Sequence, residues 1–66
     1  MRREVFHQRL KAVRRARGLT QKALAAKVDV TRAYLARLEM GRHDPPLSTV
    51  RRLAAALRVR AGRLLD

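Results

Sequence analysis

The sequence predicts an all-α fold, a compact bundle of five short helices. Three observations carry this. Apolar residues recur at helical spacing in each candidate element, no segment alternates apolar and polar residues as a half-buried strand does, and threonine, glycine and proline stand where helices start and stop. Sixty-six residues are expected to form one domain, 1–66. A chain this short buries only about 60% of its unfolded surface, so its core is small.

The first helix is expected over 4–17, where Phe6, Leu10, Val13 and Ala16 make a single stripe. Glu4 sits near the positive end of the helix dipole, and Arg14, Arg15 and Arg17 near its negative end. Gly18 stops the helix as a C′ residue. Thr20 caps a second helix over 21–27, with Leu24, Ala25 and Val28 facing inward. Asp29, in the joint that follows, stands where a positive φ is often needed, a conformation that Asp tolerates better than most residues. Thr31 caps a third helix over 32–40, with Leu35 and Leu38 inward, and Gly41 ends it. The connection RHDPPL is marked by two prolines and an aspartate. A fourth helix is expected over 47–57, with Leu47, Val50, Leu53, Ala54 and Leu57 on one face, and a short turn over 61–65 closes the bundle.

Composition narrows the function. There is no cysteine, so disulfides and thiolate–metal staples are excluded. The apolar runs are short and broken by arginine, which excludes a membrane-spanning helix. The N-terminal MRREVFHQR is basic without an apolar core, so it is not read as a secretory signal. The formal net charge is +12, from 17 Lys+Arg against 5 Asp+Glu. Self-repulsion at that density destabilises the compact state, and a polyanion relieves it. Nucleic acid is the expected partner, ahead of an anionic membrane surface or an acidic protein.

The segment TQKALAAKVDVTRAYLARLE, residues 20–39, reads as two short helices joined by a tight turn. On a chain this basic, a helix-turn-helix is a DNA-reading device. The third helix separates two faces. Thr31, Arg32, Ala33 and Arg37 form the polar one, expected to meet base edges in the major groove, while Leu35 and Leu38 anchor it to the body. Arginine fits guanine O6 and N7 bidentately, worth about 1–3 kcal/mol of discrimination per good pair. The Ala33 methyl can meet a thymine methyl. Gln21 and Lys22 open the second helix, where free N–H groups and the dipole favour a phosphate. Arg42 and His43 after the reading helix, and Arg2 and Arg3 at the N-terminus, are further expected backbone contacts. Tyr34, the only tyrosine, either stacks on the DNA backbone or packs on the second helix. Arg14 and Glu39 are expected to form an ion pair where the first and third helices cross.

No catalytic arrangement emerges. Ser48 is the only serine and has no plausible His/Asp pair; paired carboxylates and phosphate-cradling glycine loops are absent. His7 and His43 have no companions at ligand spacing, so neither a metal nor a cofactor is expected.

LTQKALA at 19–25, VTRAYLARLEMGR at 30–42 and PPLSTVRRLAAALRV at 45–59 together resemble the lambda-repressor/Cro-like helix-turn-helix domain. The resemblance runs from about Leu10 to Leu65. It implies a five-helix fold and binding to operator DNA, commonly as a dimer on a palindrome. Gln21 falls on the family's phosphate-contacting glutamine, Thr31, Arg32, Ala33 and Arg37 on its base-facing positions, and Arg14 and Glu39 on its ion pair. The chain also departs from the pattern. Asp29 replaces the usual turn glycine, Pro46 a Ser or Thr cap, Arg58 a glycine that often ends the fourth helix, and Arg60 a Ser or Asp cap. Ala61 and Arg63 stand where dimerising members commonly carry bulky apolar residues, so Arg60 and Arg63 on facing protomers repel unless an anion screens them.

The expectation is a sequence-specific, double-stranded-DNA-binding transcription regulator of repressor type. It would be cytoplasmic and nucleoid-associated, of bacterial or phage type, a homodimer if only on DNA, with a protein partner as a further option. Two other readings stand beside it: a protein-interaction or antitoxin-type module on the same fold, and a non-specific nucleic-acid binder carried by charge alone.

Overall fold

The computed structural model describes residues 3–65, with side chains from Val5 onward. It contains α1 (Arg3–Ala16), α2 (Gln21–Val28), α3 (Arg32–Glu39), α4 (Leu47–Leu57) and α5 (Ala61–Leu65), and no strand among the described residues. The fold is all-α, and each helix boundary falls within one residue of the sequence reading. Of these helices, none is long and apolar enough to cross a membrane.

All five contribute to one core, in which Phe6 and Leu10 of α1, Leu24 of α2, Leu35 and Leu38 of α3, Leu53 and Leu57 of α4 and Leu64 of α5 are buried together. α1 packs on α3 and α5, α4 on α2 and α5, and α2 on α3. α3 is therefore held on two sides, by α1 and α2.

Two residues assigned to the inward stripes are not buried. Leu47 keeps 52% of its surface exposed, because as the first residue of α4 it projects beyond the edge of the core that Val50 enters. Ala16 is exposed because, at about 100° per residue, it has turned about 120° round the helix from Leu10; it lines a groove shared with Val59 instead.

α1 through α4 end in the same way. At the end of α1, the Gly18 N–H donates to the Arg15 carbonyl at 2.9 Å and the Leu19 N–H to the Arg14 carbonyl at 3.1 Å. The same crossed pair follows α2 at Asp29 and Val30, α3 at Gly41 and Arg42, and α4 at Arg58 and Val59. This is the Schellman arrangement, in which a left-handed C′ residue folds the chain back onto two orphan carbonyls. The four C′ residues all have positive φ: Gly18 +71°, Asp29 +59°, Gly41 +74° and Arg58 +60°. Three of the residues that follow, Leu19, Val30 and Val59, pack against the core and fix the exit of the chain.

Arginines complete the helix ends. Arg17 Nε donates to the Leu57 carbonyl at 2.9 Å and its Nη2 to the Arg58 carbonyl at 3.3 Å. Arg52 Nη2 donates to the Val28 carbonyl, and Arg9 Nη1 to the Arg63 carbonyl. Each guanidinium thus sits at the negative end of another helix's dipole. α4 begins without a side-chain cap: the Pro46 carbonyl accepts from the Thr49 and Val50 N–H groups at 3.0 and 3.2 Å.

Candidate nucleic-acid interface

α2 and α3 start alike. Thr20 Oγ1 accepts from the Ala23 N–H and Thr31 Oγ1 from the Tyr34 N–H, both at 3.0 Å. Each hydroxyl takes one donor that a helix leaves unpaired at its first turn. Between the helices, the αL turn at Asp29 brings the Val30 N–H to the Ala25 carbonyl at 3.0 Å, which sets α3 at an angle to α2 in very few residues.

α3 then divides by helical geometry. Leu35 and Leu38 are wholly buried, whereas Thr31, Arg32, Ala33 and Arg37 are exposed. At about 100° per residue, Arg32, Ala33 and Arg37 share one outward face, and Met40 comes round to its end. Met40 is 58% exposed; the sequence reading treated it only as the last residue of the helix. The spacing of seven residues from Ala33 was the available signal.

Glu39 fixes this helix to its neighbours. Its Oε2 accepts from Arg14 Nε at 2.6 Å and its Oε1 from Arg14 Nη2 at 3.0 Å, a bidentate pair with both side chains almost entirely buried. Gln21 Nε2 donates to the same Oε1 at 3.1 Å, and Arg14 Nη1 to the Leu19 carbonyl at 2.8 Å. One carboxylate therefore joins α1, the start of α2 and the end of α3. Planar guanidinium–carboxylate contact restricts orientation as well as distance. The link through Gln21 was not foreseen; a polar residue eighteen positions away leaves no periodic trace in the sequence.

Aromatic contacts shape the outer edge. Tyr34 is half-buried against the core, and its ring meets His43 edge-on, with centroids 5.1 Å apart at 70°. The Arg37 guanidinium lies 6.0 Å from the Tyr34 centroid, at the limit of a cation–π contact. Tyr34 thus links the connection after α3 to the exposed face of α3. Lys22, Arg42 and His43 are exposed and Gln21 is half-buried. Arg2 lies outside the described residues, and of Arg3 only the backbone, in α1, is described.

Residues 10–64 match the helix-turn-helix family HTH_3. The chain is 43% identical over 58 residues to an immunity repressor protein of Bacillus phage phi105, covering 88% of this chain and 40% of the repressor. It spans 64% and 61% of two further curated relatives, so it matches only part of their length. Among solved structures, the restriction-modification controller protein C.AhdI from Aeromonas hydrophila superposes with a TM-score of 0.87 at 36% identity, over 89% of each chain. SinR, a master regulator for biofilm formation crystallised in complex with DNA, superposes with a TM-score of 0.88 at 31% identity, over 92% of this chain and 98% of that one. With 10–64 matched and these relatives alongside, the chain belongs to the helix-turn-helix family.

Proposed function

We propose that the chain is a sequence-specific double-stranded-DNA-binding transcription regulator of repressor type, acting through binding rather than catalysis. The observation that carries this is the division of α3, with Leu35 and Leu38 fully buried and Arg32, Ala33 and Arg37 exposed on the opposite face. Eight helical residues span about 12 Å, comparable to the width of the B-DNA major groove. Arg32 and Arg37 read guanine edges, Ala33 and Thr31 approach neighbouring bases, and Gln21, Lys22, Arg42 and His43 hold phosphates. Arg2 and Arg3 reach the backbone from the N-terminus, and Tyr34 steadies Arg37 and His43 beside it. Phosphate contacts set register and much of the affinity; α3 sets the choice of sequence. The repressor among the relatives and the DNA complex of SinR support this reading.

The 66 residues act as one DNA-binding domain in the cytoplasm, and two copies occupy a palindromic operator. Half-sites then lie about 34 Å apart, one helical turn. Arg60 and Arg63 oppose tight pairing through α5 in the free protein, so pairing forms on DNA, whose phosphates screen them. Selection of bound duplexes from a random pool, followed by mass measurement of the complex, tests both statements. A palindromic consensus carrying two protomers is expected. A pool without consensus removes sequence-specific reading, and an asymmetric site carrying one protomer removes the dimer.

A further inference from the structure

Between α1 and the corner joining α4 to α5 lies a groove of about 480 Å³. Its floor is apolar, from Ala12, Ala16 and Val59, and its rim is formed by Arg9, Arg17 and Arg63. Among the described residues no acidic residue lines it, and no residue of α2 or α3 does. We propose that this groove receives a carboxylate-rich amphipathic helix of another protein.

Charge and shape select that occupant together. Arg9 and Arg17 are anchored by bonds to the Arg63, Leu57 and Arg58 carbonyls, so the rim is held in place before a partner arrives. A guanidinium has five N–H donors, and these bonds use only one of Arg9 and two of Arg17. Carboxylates are the natural bidentate partners for the remainder. The α1 side of the groove, Arg9 to Arg17, runs about 12 Å, a little over two helical turns. An amphipathic helix laid along such a stripe places anchors at i, i+3 or i+4, and i+7. The small side chains of Ala12 and Ala16, both exposed, let it approach closely.

Other occupants satisfy only half of these features. Duplex DNA matches the rim but presents no apolar face to the floor. A second copy of this chain carries the same charge of +12 and, without DNA phosphates to screen it, sets arginine against arginine, which is costly across an interface. The groove is built without α2 and α3, so on a single protomer bound to DNA it stays open, whereas pairing through α5 brings a second protomer to its Arg63 rim. A helix bound there does not compete for the reading face, but it shares Arg63 with the pairing proposed through α5.

The test uses the whole chain and a fluorescein-labelled synthetic peptide of about 16 residues, long enough to form a helix. Leucine lies on one face, glutamate flanks it, and an isomer of the same composition with the pattern scrambled serves as the control. Anisotropy is followed at about 0.15 M salt, where long-range attraction is screened. The patterned peptide is expected to bind at least tenfold more tightly than the scrambled one. Ala12→Glu and Arg63→Glu are each expected to weaken it tenfold or more with the helical circular dichroism retained, and saturating duplex that holds a single half-site, and so a single protomer, to leave its affinity within threefold. Ala12 is exposed and makes no hydrogen bond through its side chain, so that variant reads the groove even if Arg63→Glu unfolds. Equal binding of the two peptides overturns the proposal in favour of bulk charge. Unchanged affinity in the folded variants overturns it by placing the peptide elsewhere. Displacement by duplex assigns the groove to nucleic acid, and a sedimenting dimer dissociated by either variant assigns it to a second copy; both overturn it.

Discussion

Glu39 joins α1, α2 and α3 through one carboxylate. Its carboxylate serves Arg14 and Gln21 at once, and Arg14 is almost fully buried. Glu39→Ala leaves a buried guanidinium unpaired, and breaking a buried pair from one side costs about 3–5 kcal/mol. Urea denaturation is expected to show that loss. The double variant Arg14→Met with Glu39→Leu is expected to recover most of it, short of the bond to the Leu19 carbonyl. On the reading face, Arg32→Ala is expected to leave stability within about 0.5 kcal/mol, because the side chain is exposed. In competition binding it is expected to lose about 1–3 kcal/mol of preference for guanine at one position of the selected consensus. Equal loss on all sequences would reassign Arg32 to a phosphate. The partnership of Arg14 and Glu39 was legible because acids are scarce in this chain and the resemblance gave both positions. Gln21's share in it was not, since a glutamine at a helix start is ordinarily exposed and nothing in the spacing points to Glu39.

At the scale of elements, the ends of the helices were more legible than their faces. Thr20, Thr31, Gly18 and Gly41 each mark a boundary by a side-chain or backbone property that acts locally. Burial is settled by tertiary neighbours, so Ala16, turned away from Leu10, and Leu47, at the start of α4, are exposed although the sequence reading puts both on a stripe with core residues. The positive-φ C′ positions differ in what they tolerate. Arg58 holds +60° with a full side chain, a conformation that costs an L-residue about 1–2 kcal/mol. Glycine removes that cost but adds about 0.5–1 kcal/mol of unfolded-state freedom. Arg58→Gly is therefore expected to stabilise by about 0.5–1 kcal/mol and raise Tm by a few degrees in a thermal melt. Asp29→Gly gains less, because Asp adopts this region more readily. Gly41 behaves in the opposite way. A Cβ there would lie 2.6 Å from His7 Nδ1, whereas at Gly18 it would meet nothing within 4 Å. Gly41→Ala is expected to lower Tm clearly more than Gly18→Ala, although the two share the same backbone strain.

For the whole molecule, the net charge of +12 must be divided between folding and binding. Composition alone assigned it to a polyanion, yet Arg9, Arg14, Arg17 and Arg52 all hold backbone carbonyls, which no count of arginines reveals. The remaining repulsion is long-ranged at low salt. The molecule measures 25 × 22 × 20 Å, smaller than the roughly 30 Å Debye length at 0.01 M salt but larger than the roughly 10 Å length at 0.1 M. At 0.01 M every cation repels every other; at 0.1 M only neighbours do. The Tm of the free protein is therefore expected to rise between these concentrations. DNA binding is expected to run the opposite way, because each neutralised phosphate releases counterions and affinity falls as salt rises. Bound duplex stabilises the fold by RT ln(1 + [L]/Kd), so its increment shrinks along the same axis. Thermal melts with and without excess duplex should then converge as salt increases, the free curve climbing and the bound increment falling. A duplex carrying the selected consensus keeps a measurable increment after one of random sequence has lost it, because base contacts in α3 do not depend on counterion release. If both increments vanish together, charge alone carries the binding and α3 contributes no sequence preference.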